Sequence, residues 1–160
     1  MRSQKLIPAL ALAAGLAVPA VLAAAPPAGA TALATNCSVA FYDLDASAVD
    51  EVDGKDELRL EVGSRLFPNS WVNMQAGDDA DPVDFDYASV NLSSSSSLAF
   101  NLREVQPPIV KAGFNLGTII VDGSDCAGLS TGQYAIVGGI VSGTHDSYYE
   151  YNLRFKMTGL

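Results

Sequence analysis

Asp43 and Asp45, followed by Asp50, Glu51, Asp53, Asp56 and Glu57, crowd one short polar stretch of the chain. A second group, Asp78, Asp79, Asp81, Asp84 and Asp86, follows Trp71, and Asp122 and Asp125 stand just before Cys126. Calcium takes six to eight oxygens from flexible loops, so clustered loop carboxylates point to a hard divalent cation. On this reading Asp43, Asp45, Asp50, Asp53, Asp56 and Asp122 are the candidate ligands, and Ca2+ is the one candidate cofactor. Their spacing does not match the fixed twelve-residue pattern of an EF-hand loop. The plainer alternative is a solvated acidic rim on a negatively charged protein.

Other chemistry has less to work with. His145 is the sole histidine, set in Gly143-Thr144-His145-Asp146-Ser147. Adjacent side chains in a strand or turn point apart, so this run is not a catalytic triad by adjacency, and a triad would need a distant serine and aspartate. Carboxylates for glycoside hydrolysis are plentiful, yet nothing singles out two at the required separation. The glycines, Gly138-Gly139 among them, lack a phosphate-loop pattern. A hydrolase using His145 is therefore the third reading, behind a binding protein and a calcium-dependent one, and no catalytic residue is assigned. Among the aromatic residues, Trp71 and Tyr148 are candidate anchors for a partner protein.

These side chains must be held by something outside the first thirty residues. Arg2 and Lys5 precede an uncharged, Ala- and Leu-rich stretch from Leu6 to Ala25. Ala28-Gly29-Ala30 and Ala32-Leu33-Ala34 then offer small residues for cleavage. That order is the pattern of a secretory leader, with residues 1–30 removed and the remainder secreted to the extracellular space. Pro8 and Pro19 and the weak hydrophobicity of alanine argue against a retained membrane span. Loss of Arg2 and Lys5 leaves seven bases against 18 acids, a net charge near −11 in place of −9. Such a surface repels phosphate and anionic lipid, which argues against nucleic acid as a partner. Two cysteines, Cys37 and Cys126, in an exported chain read as one disulfide. Residues 31–36 are small and uncharged, and are expected to form a flexible tail. Its Thr31, Ala32, Leu33 and Ala34 are candidates for pairing with a partner's backbone.

The body, residues 37–160, reads as strands. Asp56 to Val62 alternates, with Leu58, Leu60 and Val62 on one face. Ser97 to Arg103 alternates through Leu98, Phe100 and Leu102, and Ser147 to Met157 through Tyr149, Tyr151, Leu153, Phe155 and Met157. Cys37 to Tyr42 and Tyr134 to Val137 are shorter β-prone runs, and Leu116 to Val121 reads as buried on both faces. Arg65 to Phe67 and Trp71 to Met74 are expected to pair around a turn at Pro68-Asn69-Ser70. No segment after the leader shows a helical period. Seven to eight short strands separated by Gly, Ser, Asp and Pro clusters predict an all-β protein, an antiparallel β-sandwich closed by one disulfide.

The runs VDEVDGKDELRLEV, SLAFNLREV, NLGTIIVDG and YYEYNLRFKM together resemble secreted, actinobacterial relatives of the C-two-type calcium-binding β-sandwich. That resemblance implies calcium held by an acidic loop before one strand and a second acidic loop after a later one. Where the family pattern has two acids one residue apart, this chain places Glu104 and Gln106, followed by Pro107 and Pro108. In architecture alone, the leader, small-residue tail, single disulfide and acidic β-domain resemble the small adaptor subunit of umbrella toxin particles. That likeness implies a tail seated in an extracellular protein partner's cleft. The leading expectation is a secreted, non-catalytic protein-interaction module, with a calcium-dependent binding sandwich next.

Overall fold

Among the described residues, nine strands form two antiparallel sheets, as the alternating apolar residues lead one to expect. The structure is a computed structural model that describes residues 33–87, 89–108 and 112–160. The expected leader, and Thr31 and Ala32 of the expected tail, lie outside the described residues. In chain order the strands are β1 (Asn36–Ala48), β2 (Asp56–Val62), β3 (Arg65–Met74), β4 (Asp79–Ala80), β5 (Val90–Ser93), β6 (Ser97–Glu104), β7 (Phe114–Asp122), β8 (Tyr134–Thr144) and β9 (Tyr148–Gly159). A single-turn helix, α1 (Pro82–Phe85), and a 3-10 turn (Gly123–Gly128) are the helical elements among the described residues. One sheet runs β4-β1-β9-β8, with β5 also on the free edge of β1, and the other runs β3-β2-β6-β7. No helix of the described residues is long and apolar enough to cross a membrane.

The inward faces supply the core. Tyr149, Tyr151, Leu153, Phe155 and Met157 are buried from β9, as expected, and Phe100 and Leu102 from β6. Phe155 and Phe100 meet across the two sheets with ring centroids 3.9 Å apart. Phe41 and Phe85 continue this aromatic row on one side, and Tyr87 and Phe67 on the other. Each such side chain gains about 1.5–3 kcal/mol from removal of its apolar surface from water.

Two expected strands differ because of bulges. In β1 the register with β9 slips between Phe41 and Asp43. The inward set therefore changes from Cys37, Val39 and Phe41 to Leu44 and Ala46. The slip carries Asp43 onto the outer face opposite Arg154, so β1 runs on to Ala48 where strict alternation ends at Tyr42. Arg65–Met74 is one strand, not two strands around a turn. Leu58 pairs with Val72 and Leu60 with Phe67, both on β2, and the residues between bulge outward. Arg59 stabilises that bulge: its Nε and Nη2 donate to the Pro68 carbonyl at 2.9 and 2.7 Å. The expected double burial of Leu116 to Val121 also gives way. β7 is an edge strand, so Leu116, Ile119 and Val121 face the core while Ile120 is exposed.

Leu33 to Asn36, expected in the flexible tail, are held. Leu33 forms a bridge with Ser130, the buried Ala34 donates its N–H to Leu129, and the Asn36 carbonyl accepts from Leu160. One residue further on, Cys37 is bonded to Cys126 in the 3-10 turn, with both residues fully buried. Replacing both cysteines by alanine opens a loop of 89 residues and should lower the unfolding free energy by about 4 kcal/mol. The guanidinium midpoint reads this directly, and a loss below about 1 kcal/mol would show that the clasp adds little.

Candidate functional site

The six aspartates nominated as ligands do not converge on one point. Asp43 and Asp45 lie on the outer face of β1, where both are ion-paired with Arg154 of β9. Asp79 of β4 brings a third carboxylate oxygen within 4.8 Å of theirs, an arrangement compatible with Ca2+. The Arg154 guanidinium already occupies that seat, and any cation must compete with it. Asp53 accepts from the Lys55 N–H within its own turn. Asp122 caps the 3-10 turn by accepting from Ser124, a bond that holds its carboxyl below the ordinary range. Three of the five acids after Trp71 are likewise spent on local bonds. Asp78 accepts from Gln75, and Asp81 and Asp84 form a capping box on α1.

Asp50 and Asp56 belong to a different grouping. Both are fully buried, in the loop between β1 and β2 and at the start of β2. Asp56 accepts from the N–H groups of Asp50 and Glu51, each at 2.8 Å, and from the Tyr151 hydroxyl. These bonds fold the loop back on itself and present the Asp50 side chain to the turn between β8 and β9. There Asp50 Oδ1 accepts from three consecutive N–H groups, those of His145, Asp146 and Ser147, at 3.0–3.2 Å. Asp50 Oδ2 meets His145 Nδ1 at 2.8 Å. Phe114 of β7 stacks on the imidazole, with centroids 3.9 Å apart and the planes 14° from parallel.

Glu104, at the end of β6, completes the group. Its side chain is buried, and among the described residues no donor reaches its Oε2. The carboxylates of Asp50 and Glu51 are its near neighbours, and they accept from it only if it keeps a proton. Burial first, then bonding with Glu51, the charge of Asp56 and bonding with Asp50, pushes Glu104 up to about 9. Asp50 goes the other way. Burial works against its charge, but the bonds from His145 and Ser147 more than offset this and hold it below the ordinary range. Tyr151 is raised well above the ordinary phenol range by burial and by its bond to Asp56.

His145 thus has the orienting carboxylate of an acid–base pair. The neighbouring Ser147 hydroxyl is committed to the Val49 carbonyl at 2.9 Å. Glu104 and His145 were not among the nominated ligands. His145 sits 95 residues from Asp50 in sequence, so no local spacing signals their contact. Glu104 stood out only as the acid that remains of an expected pair, with Gln106 in the second place.

The nominated partner-binding residues lie apart from this cluster. Leu33 is exposed and Ala34 buried; Trp71 is half-buried in the bulged part of β3. Tyr148, exposed at the start of β9, donates to Glu150 at 2.7 Å.

A sequence-overlooked surface lies on β8. This edge strand pairs with β9 alone among the described residues, and its eleven residues carry no charge. Tyr134, Ile136 and Ile140 stand outward on it, with Ile140 64% exposed.

No protein-family model matches the chain, and no curated protein matches it. Among solved structures it is similar to the C-two A domain of plant extended synaptotagmin 1. The TM-score is 0.47 and the identity 8%, over 79% of this chain and 96% of that one.

The buried acids set a pH dependence of stability. Between the ordinary 4.5 and about 9, folded Glu104 keeps a proton that the unfolded chain releases. Its contribution is therefore full below pH 4.5 and is lost as pH rises towards 9. Asp50 acts oppositely, losing its contribution as pH falls below its ordinary 3.8. In chelator-containing buffer, melting temperature should decline from pH 5 to pH 9. Glu104→Gln should flatten that decline and raise stability at pH 8 by about 1 kcal/mol. Parallel profiles for the two proteins would refute the assignment to Glu104.

Proposed function

We propose that this protein is an exported, non-catalytic interaction module that binds another extracellular protein by adding a strand to its β8 edge. The observation that carries the reading is the uncharged free edge of β8, with Tyr134, Ile136 and Ile140 facing outward. Edge strands that must stay unpaired are usually guarded by charge, proline or a bulge. The adjoining β9 row is polar, and Lys156 lies over the Tyr134 ring at 4.6 Å. An extended segment with apolar residues at alternate positions would pair with the β8 backbone and cover Ile136 and Ile140. The chain's negative charge favours a basic partner. Export is supported by the leader pattern and agrees with the Cys37–Cys126 bond. Within this reading, the finer role is an adaptor of an extracellular toxin assembly, with the residues ahead of Leu33 as a second point of attachment.

Ile136→Lys with Ile140→Lys places charge on the edge while leaving the core untouched. Capture of partner from culture supernatant should fall at least tenfold, with melting temperature within about 2 °C of the parent. Undiminished capture would sink the β8 reading. If the chain instead pairs with itself, its sedimentation would show a dimer that the double variant dissolves.

A second reading, calcium-dependent binding, rests on Asp43, Asp45 and Asp79. Because Arg154 shares that seat, Arg154→Ala should strengthen calcium binding. Millimolar calcium would then raise the melting temperature of the variant more than that of the parent. No response in either protein would dismiss calcium at this position.

A further inference from the structure

We propose that Asp50, Glu104 and His145 form a site for one first-row divalent cation of borderline softness, Zn2+ being the best fit. One donor atom from each of the three side chains lies within 4.8 Å of the other two. The donor set is one imidazole nitrogen and two carboxylate oxygens. That mixture suits zinc and its first-row neighbours, whereas calcium takes oxygen alone. The site shares no ligand with the Asp43, Asp45 and Asp79 grouping and is independent of the β8 edge.

Two features separate this group from an ordinary acidic cluster. Glu104 is 4% exposed, and among the described residues its Oε2 has no donor although it lies beside Asp50. A buried carboxylate oxygen without a partner is costly, and a dication would answer it and Asp50 together. The ligands are also held in place beforehand. Three backbone N–H groups fix Asp50 through Oδ1, and a cation would take the place of the Nδ1 proton that His145 now donates to Oδ2. Phe114 fixes the plane of the imidazole. Outer contacts of this kind orient the ligands of metal sites and sustain their affinity. The side chain of His145 is 37% exposed, which leaves an entry path and room for water at the open coordination positions. Glu104 itself is placed by a close approach of backbones. Gly113 has φ 65°, and a Cβ there would collide with the Glu104 carbonyl, so glycine alone permits the contact.

Co2+ is the probe, because its visible absorption reports nitrogen and oxygen coordination. The full exported chain, without a histidine tag, should bind one Co2+, and an equimolar addition of Zn2+ should displace it. Zn2+ should also raise the melting temperature, and chelator should reverse that rise. His145→Ala, on a surface turn, and Glu104→Gln, close to Glu104 in shape, should each weaken Co2+ binding at least tenfold while the circular dichroism spectrum is retained. Absence of a cobalt spectrum in the parent would overturn the proposal. So would undiminished binding in both variants, or binding lost instead on Asp43→Asn with Asp45→Asn. Displacement of Co2+ by an equal concentration of Ca2+ would overturn the choice of cation.

Discussion

A carboxylate taken out of water must be given donors, and Asp50, one of two fully buried aspartates among the described residues, dictates how one end of the sandwich is built. Asp50 receives four bonds, three of them from consecutive backbone N–H groups of the turn between β8 and β9. Asp56 in turn receives the N–H of Asp50, so one acid holds the loop that delivers the other. Tyr151 joins the pair to β9 through its hydroxyl. The loop between β1 and β2 belongs to both sheets, and these bonds are what lock it to the far turn. An apolar residue could not replace them, because the N–H groups that Asp50 and Asp56 accept from would lose their partner.

The same end of the molecule carries a buried acid that keeps its proton. Glu104 is placed where it has acids for neighbours, and the fold keeps it there with a close contact at Gly113. A sandwich needing only stability would have an apolar residue at this point, since well-packed hydrophobic groups match or exceed buried ionic ones. Retention of an acid among acids points to a role for the group beyond packing. By contrast, Arg154 and Asp45 on the outer face are partly open to solvent, where ion pairs contribute little.

Much of the fold was legible because burial in a sheet imposes a two-residue period, and β2, β6 and β9 keep it without interruption. The disulfide followed from an even cysteine count and the leader. What stayed hidden were the departures from period. The slip after Phe41 swaps the faces of β1, and the bulge held by Arg59 makes one strand of two apparent ones. Both depend on a residue in another strand, which no local window contains. The site was less legible still. Composition pointed to acids in loops, and Asp50 and Asp56 were among those nominated, but Asp53 and Asp122 serve as turn and helix caps and Asp43 and Asp45 pair with Arg154. His145 and Asp50 meet across 95 residues, and Gln106 breaks the acidic pair that would have drawn attention to Glu104. The edge of β8 was missed for a different reason: its outward isoleucines look like core until the strand order shows β9 as its one paired strand among the described residues.

The bond between Cys37 and Cys126 also governs how the domain would carry a mechanical load. A pull on the chain ahead of Leu33 reaches β1 at Asn36, one residue before Cys37. Without the bond, that force would peel β1 from β9 one pair at a time, the weakest way to load a sheet. With it, the force passes at once through Cys126 into the segment between β7 and β8. The 89-residue stretch closed by the bond is then shielded from extension. A tether joined to the N-terminal side of this domain would therefore stretch only the residues outside that covalent loop, leaving β2, β3, β6 and β7 folded together.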